Sequence, residues 1–182
     1  MEEYIQHHLK KMEQTAPDFW NVSPEVAKLL YILAKAKNAT RILELGTSNG
    51  YSTIWLALAA KETDGKVISI EFFQERFDLA NENLKTCNLQ AYTTLYQGKI
   101  QKILPSFNNY FDFIFIDACK EEYHDYILEL ERLTQKGTVI IADNVVSHRD
   151  KMLPFIDYMT KTLFYDCVTL NIDNGLMICY RR

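Results

Sequence analysis

The sequence predicts an α/β fold, a doubly wound and mostly parallel seven-stranded sheet with an antiparallel hairpin at its C-terminal end. Three observations carry this expectation. Short β-rich runs alternate with stretches of helical periodicity along the chain. The run "YFDFIFID" (110–117) has the apolar content of a strand buried on both faces. The last two β-rich runs are separated by Asp173-Asn174-Gly175, and Asp/Asn-Gly is a strong hairpin turn.

The elements follow from local patterns. "RILELG" (41–46) reads as a buried strand, and Tyr51 to Lys61 is helical until the "TDGK" turn. "KVISIE" (66–71) is the second strand, followed by a helix over 73–85 with Phe73, Phe77, Ala80 and Leu84 at helical spacing. "YTTLYQ" (92–97) is the third strand, and a short helix covers Ile100 to Leu104 before Pro105. After the strand at 110–117, "KEEYHDYILELERLTQ" sets Tyr123, Ile127, Leu130 and Leu133 on one helix face. "GTVIIAD" (137–143) is a fifth strand, a helix follows over 150–163, and "FYDCVTLN" and "GLMICYR" form the hairpin.

A length of 182 residues predicts one domain, 1–182, with a short helical segment over 1–22 and the α/β core over 23–182. The formal net charge is −4 and the basic residues are scattered, so charge does not point to a polyanion partner. The first residues, "MEEYIQHHLKKMEQ", contain no apolar core of a signal peptide, and no apolar run approaches the ~20 residues that span a bilayer. The expectation is a cytoplasmic protein without a membrane partner. Cys87, Cys119, Cys167 and Cys179 have neither C-x-x-C nor zinc spacing and are expected to be buried thiols.

In parallel sheets, ligands bind beyond the carboxyl ends of the strands. That rule selects Gly46–Ser52, Glu71, Gln97–Gln101, Asp117–Lys120 and Asp143–Asn144. Gly46 and Gly50 form a G-x-x-x-G turn into a helix, whose free N–H groups, with the Ser52 hydroxyl, could bind an anion; a turn with no ligand has the same spacing. Glu71, about 20 residues on, suits a ribose diol, or is a solvated strand end. Neither the dinucleotide fingerprint nor the phosphate-loop motif is present, which disfavours NAD and a bound triphosphate. Asp117, Asp143 and Asn144 offer three hard oxygen ligands to Mg²⁺ or a similar ion, or else cap helices and face solvent. Lys120, one helical turn beyond Asp117, could take a proton from a hydroxyl substrate, or is a surface lysine. The four histidines share no ligand spacing, and no G-x-S-x-G elbow occurs. Phe19 and Trp20 could fold over the crevice or pack elsewhere.

Together "RILELGTSNGYSTIWLALA", "VISIE", "FDFIFIDACKEEY" and "GTVIIADNVV" resemble class I S-adenosylmethionine-dependent methyltransferases, and more narrowly the metal-dependent O-methyltransferases of the catechol and caffeoyl-CoA type. The resemblance runs from about Ser23 onward and implies a Rossmann-like methyltransferase fold. It implies that Glu44, Gly46 and Ser52 hold the methionine part of the cofactor, that Glu71 binds the ribose, and that Gln101 lies beside the adenine. It further implies that Asp117, Asp143 and Asn144 ligate a divalent metal such as Mg²⁺, with Asp117 also near the cofactor amino group, and that Lys120 is the catalytic lysine. The implied reaction moves a methyl group from S-adenosyl-L-methionine to a hydroxyl of a small catechol-like molecule. A tRNA hydroxyuridine is an alternative acceptor, a non-catalytic cofactor-binding protein an alternative class, and a homodimer the implied assembly. The chain departs from the family pattern at Ser48, where many relatives have glycine, at Lys99, where many have an acid, and at Cys119, where catechol enzymes have tryptophan; the segment before Ser23 is shorter than usual.

Overall fold

The computed structural model of the protein describes residues 1–182. Its seven-stranded sheet comprises β1 (Arg41–Leu45), β2 (Lys66–Glu71), β3 (Thr93–Gln97), β4 (Phe113–Ile116), β5 (Val139–Ala142), β6 (Tyr165–Leu170) and β7 (Leu176–Arg181). The order across the sheet is β3-β2-β1-β4-β5-β7-β6. The first five strands run parallel, and β7 pairs antiparallel with both β5 and β6. From β1 the chain winds outward to β3, then returns to β4 on the other side of β1. That reversal opens a crevice beyond the carboxyl ends of β1 and β4.

The helices are α1 (Glu3–Gln14), α2 (Ala16–Phe19), α3 (Pro24–Ala36), α4 (Tyr51–Glu62), α5 (Gln74–Thr86), α6 (Ile100–Ile103), α7 (Tyr123–Leu130) and α8 (Arg149–Lys161). Strand alternation divides the core into two layers. Phe113 and Phe115 pack with residues of α1, α3 and α4, while Ile114 and Ile116 pack with residues of α7 and α8. Helix α4 is buried almost all round, its Ser52 and Thr53 included, so its polar side chains must find partners inside. Helix α3 is not among the elements expected from sequence. Its start is nonetheless written in "SPE": the Ser23 hydroxyl accepts from the Val26 N–H at 3.3 Å, and Pro24 stands at the first helical position.

Several expectations are corrected. The strand expected over 110–117 is confined to Phe113–Ile116. Ahead of it, the Phe111 N–H turns to the Leu133 carbonyl, and the Asp112 carboxylate accepts from the N–H groups of Thr40 and Arg41. The helix expected after Lys120 is three pieces, with a 3₁₀ turn over Lys120–Glu122 before α7 and another over Glu131–Leu133 after it; the apolar stripe is buried throughout. Phe73 is the residue before α5 and is half exposed, whereas Ala80 and Leu84 do face the core. The cysteines are not four buried thiols. Cys167 and Cys179 stand opposite each other on β6 and β7 and are paired as a disulfide, Cys119 is exposed, and only Cys87 is a buried free thiol. Their pairing is a consequence of hairpin register, which neighbours in sequence do not reveal. No helix is long and apolar enough to cross a membrane.

Candidate active site

The chain leaves β1 through a turn that only glycine permits at its first position. Gly46 has φ +98°, and a Cβ there would lie 2.0 Å from the Asp117 carbonyl oxygen. The exits of β1 and β4 are therefore in direct backbone contact. Two residues on, the Ser48 N–H donates to Glu71 Oε2 at 2.7 Å, and the Phe73 N–H donates to Glu71 Oε1 at 2.8 Å. These bonds fix the Glu71 carboxylate at the end of β2 while each oxygen keeps a further lone pair for a ligand.

Glu44 lies behind this wall. It is fully buried in β1, where it accepts hydrogen bonds from Ser52 Oγ (2.6 Å), Ser69 Oγ (2.6 Å) and Thr53 Oγ1 (2.5 Å). Burial raises its pKa from 4.5 to about 7, against the three hydroxyl bonds, which favour the charged form. The folded state thus holds this proton more tightly than the unfolded chain does. The associated stability is fully present below pH 4.5 and is lost as pH rises through about 7. A shift of this size corresponds to about 3 kcal/mol. Thermal unfolding from pH 5 to 8 is expected to show a steeper loss of stability in the wild type than in Glu44→Gln, whose amide does not ionise. Identical slopes for the two proteins would rule this out.

Beyond β4, the Asp117 N–H continues the ladder to the Leu45 carbonyl at 2.9 Å, which aims its side chain into the crevice. Lys120 Nζ donates to Asp117 Oδ1 at 2.7 Å and lies 3.5 Å from the Tyr123 hydroxyl. Tyr123 is buried and donates to the Ile116 carbonyl at 3.1 Å. Burial, then the charges of Asp117 and Asp143, push its pKa well above 10, so it stays a neutral fixture under the lysine. Asp143 follows β5, and its Oδ1 is buried without a hydrogen-bond partner. Burial first, and Asp117 second, hold its carboxyl well above the usual range. Asn144 adopts a left-handed conformation at φ 68°. The loop after it is braced by the hairpin turn: the Val145 N–H donates to the Gly175 carbonyl at 3.0 Å and the Ser147 N–H to the Asn174 carbonyl at 2.9 Å.

These groups share one cavity of about 1040 Å³. Its walls include Gly46, Ser52, Glu71, Gln101, Asp117, Lys120, Asp143 and Asn144. Of the residues given a role from sequence, Glu44 does not reach it, and of the selected stretches Asn49, Gly50, Tyr51, Gln97 and Gly98 do not line it either. Phe19 and Trp20 do line it, and so do residues that carried no sequence signal, among them Asn21, Arg76 and Lys151. His148 lies at the cavity, whereas His124 packs against the Tyr158 ring. No three His, Cys, Asp or Glu side chains cluster as a metal set, so any cation here would rest on two carboxylates and an amide.

The chain matches the O-methyltransferase family over residues 1–176. It is 40% identical over 130 residues to a catechol O-methyltransferase of Niastella koreensis, covering 69% of this chain and 58% of that protein. It is 38% identical over 126 residues to a catechol O-methyltransferase of Mycobacterium tuberculosis, covering 69% of this chain and 57% of that one. The chain thus matches less than two thirds of the length of these curated relatives. The crystal structure of an O-methyltransferase from Bacillus cereus in complex with SAH superposes with a TM-score of 0.86 at 27% identity, covering 100% of this chain and 92% of that one. With a seven-stranded sheet ending in an antiparallel hairpin and a match along nearly its whole length, the chain belongs to the O-methyltransferase family.

Proposed function

We propose that this protein is an S-adenosylmethionine-dependent, divalent-cation-dependent O-methyltransferase whose acceptor is a small molecule with adjacent oxygens, of the catechol type. The observation that carries the reading is the meeting of Asp117, Lys120, Asp143 and Asn144 in the same cavity as the Gly46 turn and Glu71. The names of the relatives supply the acceptor class, and the SAH in the Bacillus cereus structure supplies the cofactor class.

The residues present fit a hard cation. Asp143 presents a buried oxygen with no partner, beside a second carboxylate whose charge it cannot escape. Two carboxylates and the Asn144 amide are all oxygen donors, the set that Mg²⁺ and similar ions prefer over imidazole or thiolate. Asp117, Asp143 and Asn144 would hold the cation, and Glu71 would accept hydrogen bonds from the cofactor ribose. When bound, the cofactor supplies an electrophilic methyl group and the cation supplies positive charge that favours an ionised hydroxyl oxygen.

The chain's own groups orient and move the proton. A phenolic hydroxyl, with a pKa of about 10, is mostly protonated at neutral pH. Lys120, as the neutral amine, would take that proton and become the ammonium that Asp117 and the Tyr123 hydroxyl hold in place. Lys120→Met is therefore expected to lower kcat about 10²- to 10³-fold while cofactor affinity by calorimetry stays near that of the wild type. Wild-type turnover in this variant would remove the lysine from the mechanism. The reading as a whole is tested by methyl transfer to a catechol panel with and without chelator, alongside calorimetry with S-adenosylmethionine and with NAD. Binding of NAD alone would sink it.

A further inference from the structure

Ser48 is the residue of the cofactor turn that is left-handed without being glycine, at φ 49°. Glycine would hold this conformation with less strain. What serine adds is a bond: its Oγ donates to the Phe19 carbonyl at 2.7 Å, across 29 residues of chain. Its N–H is separately committed to Glu71. One small residue therefore ties the turn both to the end of β2 and to the N-terminal segment.

The segment it ties is Phe19–Val22, and all four of its residues line the cavity. Apart from the Trp20 N–H, which like that of Asn21 reaches back to the Ala16 carbonyl, little else in the backbone holds it. Helix α2 ends at Phe19, Trp20 is left-handed at φ 55°, and α3 begins only at Pro24. The Asn21 N–H reaches back to the Ala16 carbonyl at 3.1 Å, and the Asn21 Nδ2 is buried with no partner. At the far end Val22 is anchored in the core, and the Ser23 N–H donates to Asp173 Oδ2 at 3.1 Å. In the middle, Trp20 is 74% exposed, with the Arg76 guanidinium 4.4 Å from its ring centroid. The segment is thus a short roof, fixed firmly on the Val22 side. On the Phe19 side its tie to the cofactor turn is the Ser48 hydroxyl.

We infer that Ser48 is a positioning residue for the cofactor: its hydroxyl holds the Phe19–Val22 roof down over the turn, and so retains the molecule bound beneath. This rests on the cofactor reading above. Ser48 touches no reacting atom in this scheme, so it acts on retention and not on chemistry. A serine in a strained position is then explained by what its side chain reaches, where a glycine would leave the roof untied on that side.

The test uses Ser48→Gly and Ser48→Ala in the full chain. Both remove the hydroxyl, and the glycine variant also relieves the backbone, so folding is protected in at least one of them. In the ligand-free proteins, hydrogen exchange at the hydrogen-bonded amides of Trp20 and Asn21 is expected to accelerate about tenfold, the order set by one lost hydrogen bond. The dissociation constant for SAH is expected to rise about tenfold by calorimetry, while kcat at saturating cofactor and KM for the acceptor do not worsen. Unchanged exchange in both variants overturns the roof tie. Unchanged SAH affinity, or a kcat that falls in step with affinity in Ser48→Gly, overturns its role in retention. Failure of the wild type to bind SAH is visible before any variant is made. It overturns the cofactor reading instead, while the exchange measurement still decides the tie.

Discussion

Asp143→Ala is expected to abolish cation-stimulated methyl transfer, lowering kcat/KM about 10³-fold, while cofactor binding remains largely intact. The size follows from the several kcal/mol of charge stabilisation that a Lewis-acidic cation gives to an ionising oxygen. The separation of effects follows from position. Asp143 lies at the end of β5, across the crevice from the Gly46 turn and Glu71 at the ends of β1 and β2. The substitution should not unfold the protein, because the carboxylate has an unpartnered buried oxygen and sits in the unfavourable field of Asp117. Asp143→Asn, which keeps the volume, separates loss of the charge from loss of packing. The measurement is methyl transfer to catechol across a Mg²⁺ titration, with S-adenosylmethionine affinity determined in parallel. Full activity of the alanine variant in the presence of chelator would sink the cation mechanism.

Gly46→Ala is expected to destabilise the protein by about 3 kcal/mol and to lower cofactor affinity more than 100-fold. The new methyl would meet the backbone oxygen of Asp117 at 2.0 Å, and a peptide oxygen cannot rotate away as a side chain could. Relief requires the exits of β1 and β4 to separate, which displaces the Gly46 turn and Asp117 together. Gly137→Ala is the matched control. It has a similar φ of +93°, but its nearest neighbour would be the Tyr180 hydroxyl at 3.6 Å, so it carries backbone strain alone. Urea midpoints for the two variants, with calorimetry on Gly46→Ala, read both effects. Wild-type affinity in Gly46→Ala would show that the turn does not hold the ligand.

What was legible in the sequence is what local pattern and chain direction dictate. β2 spans 66–71 as its apolar run predicts, and the Asp173–Gly175 turn joins β6 to β7. Asp117 and Asp143 meet in one cavity because each follows a parallel strand, and all such strands deliver their ends to one side. Residues whose surroundings come from distant chain were not legible. Glu44 lies inside β1 on the face it shares with Ile42, under α4, where Ser52, Thr53 and Ser69 converge on it, whereas Gly46 is already past the end of the strand. The Cys167–Cys179 pair depends on hairpin register, and the place of Asn21 and Val22 in the cavity wall depends on how α1 and α3 dock. Ser48 was visible only as a departure from a pattern. Its reason lies 29 residues away, at the Phe19 carbonyl.

The antiparallel direction of β7 has a practical consequence. Its first residue, Leu176, follows the turn that braces the Asn144 loop, and its last, Arg181, lies beside Thr138 and Gly137 at the opposite end of the sheet. A fusion partner or surface linker attached after Arg182 would therefore leave the molecule from the side remote from the cavity, and immobilisation there should spare substrate access. An insertion of the same size between Asp173 and Gly175 would instead disturb the Asn144 loop and the roof in a single step, since both are hydrogen-bonded to that turn.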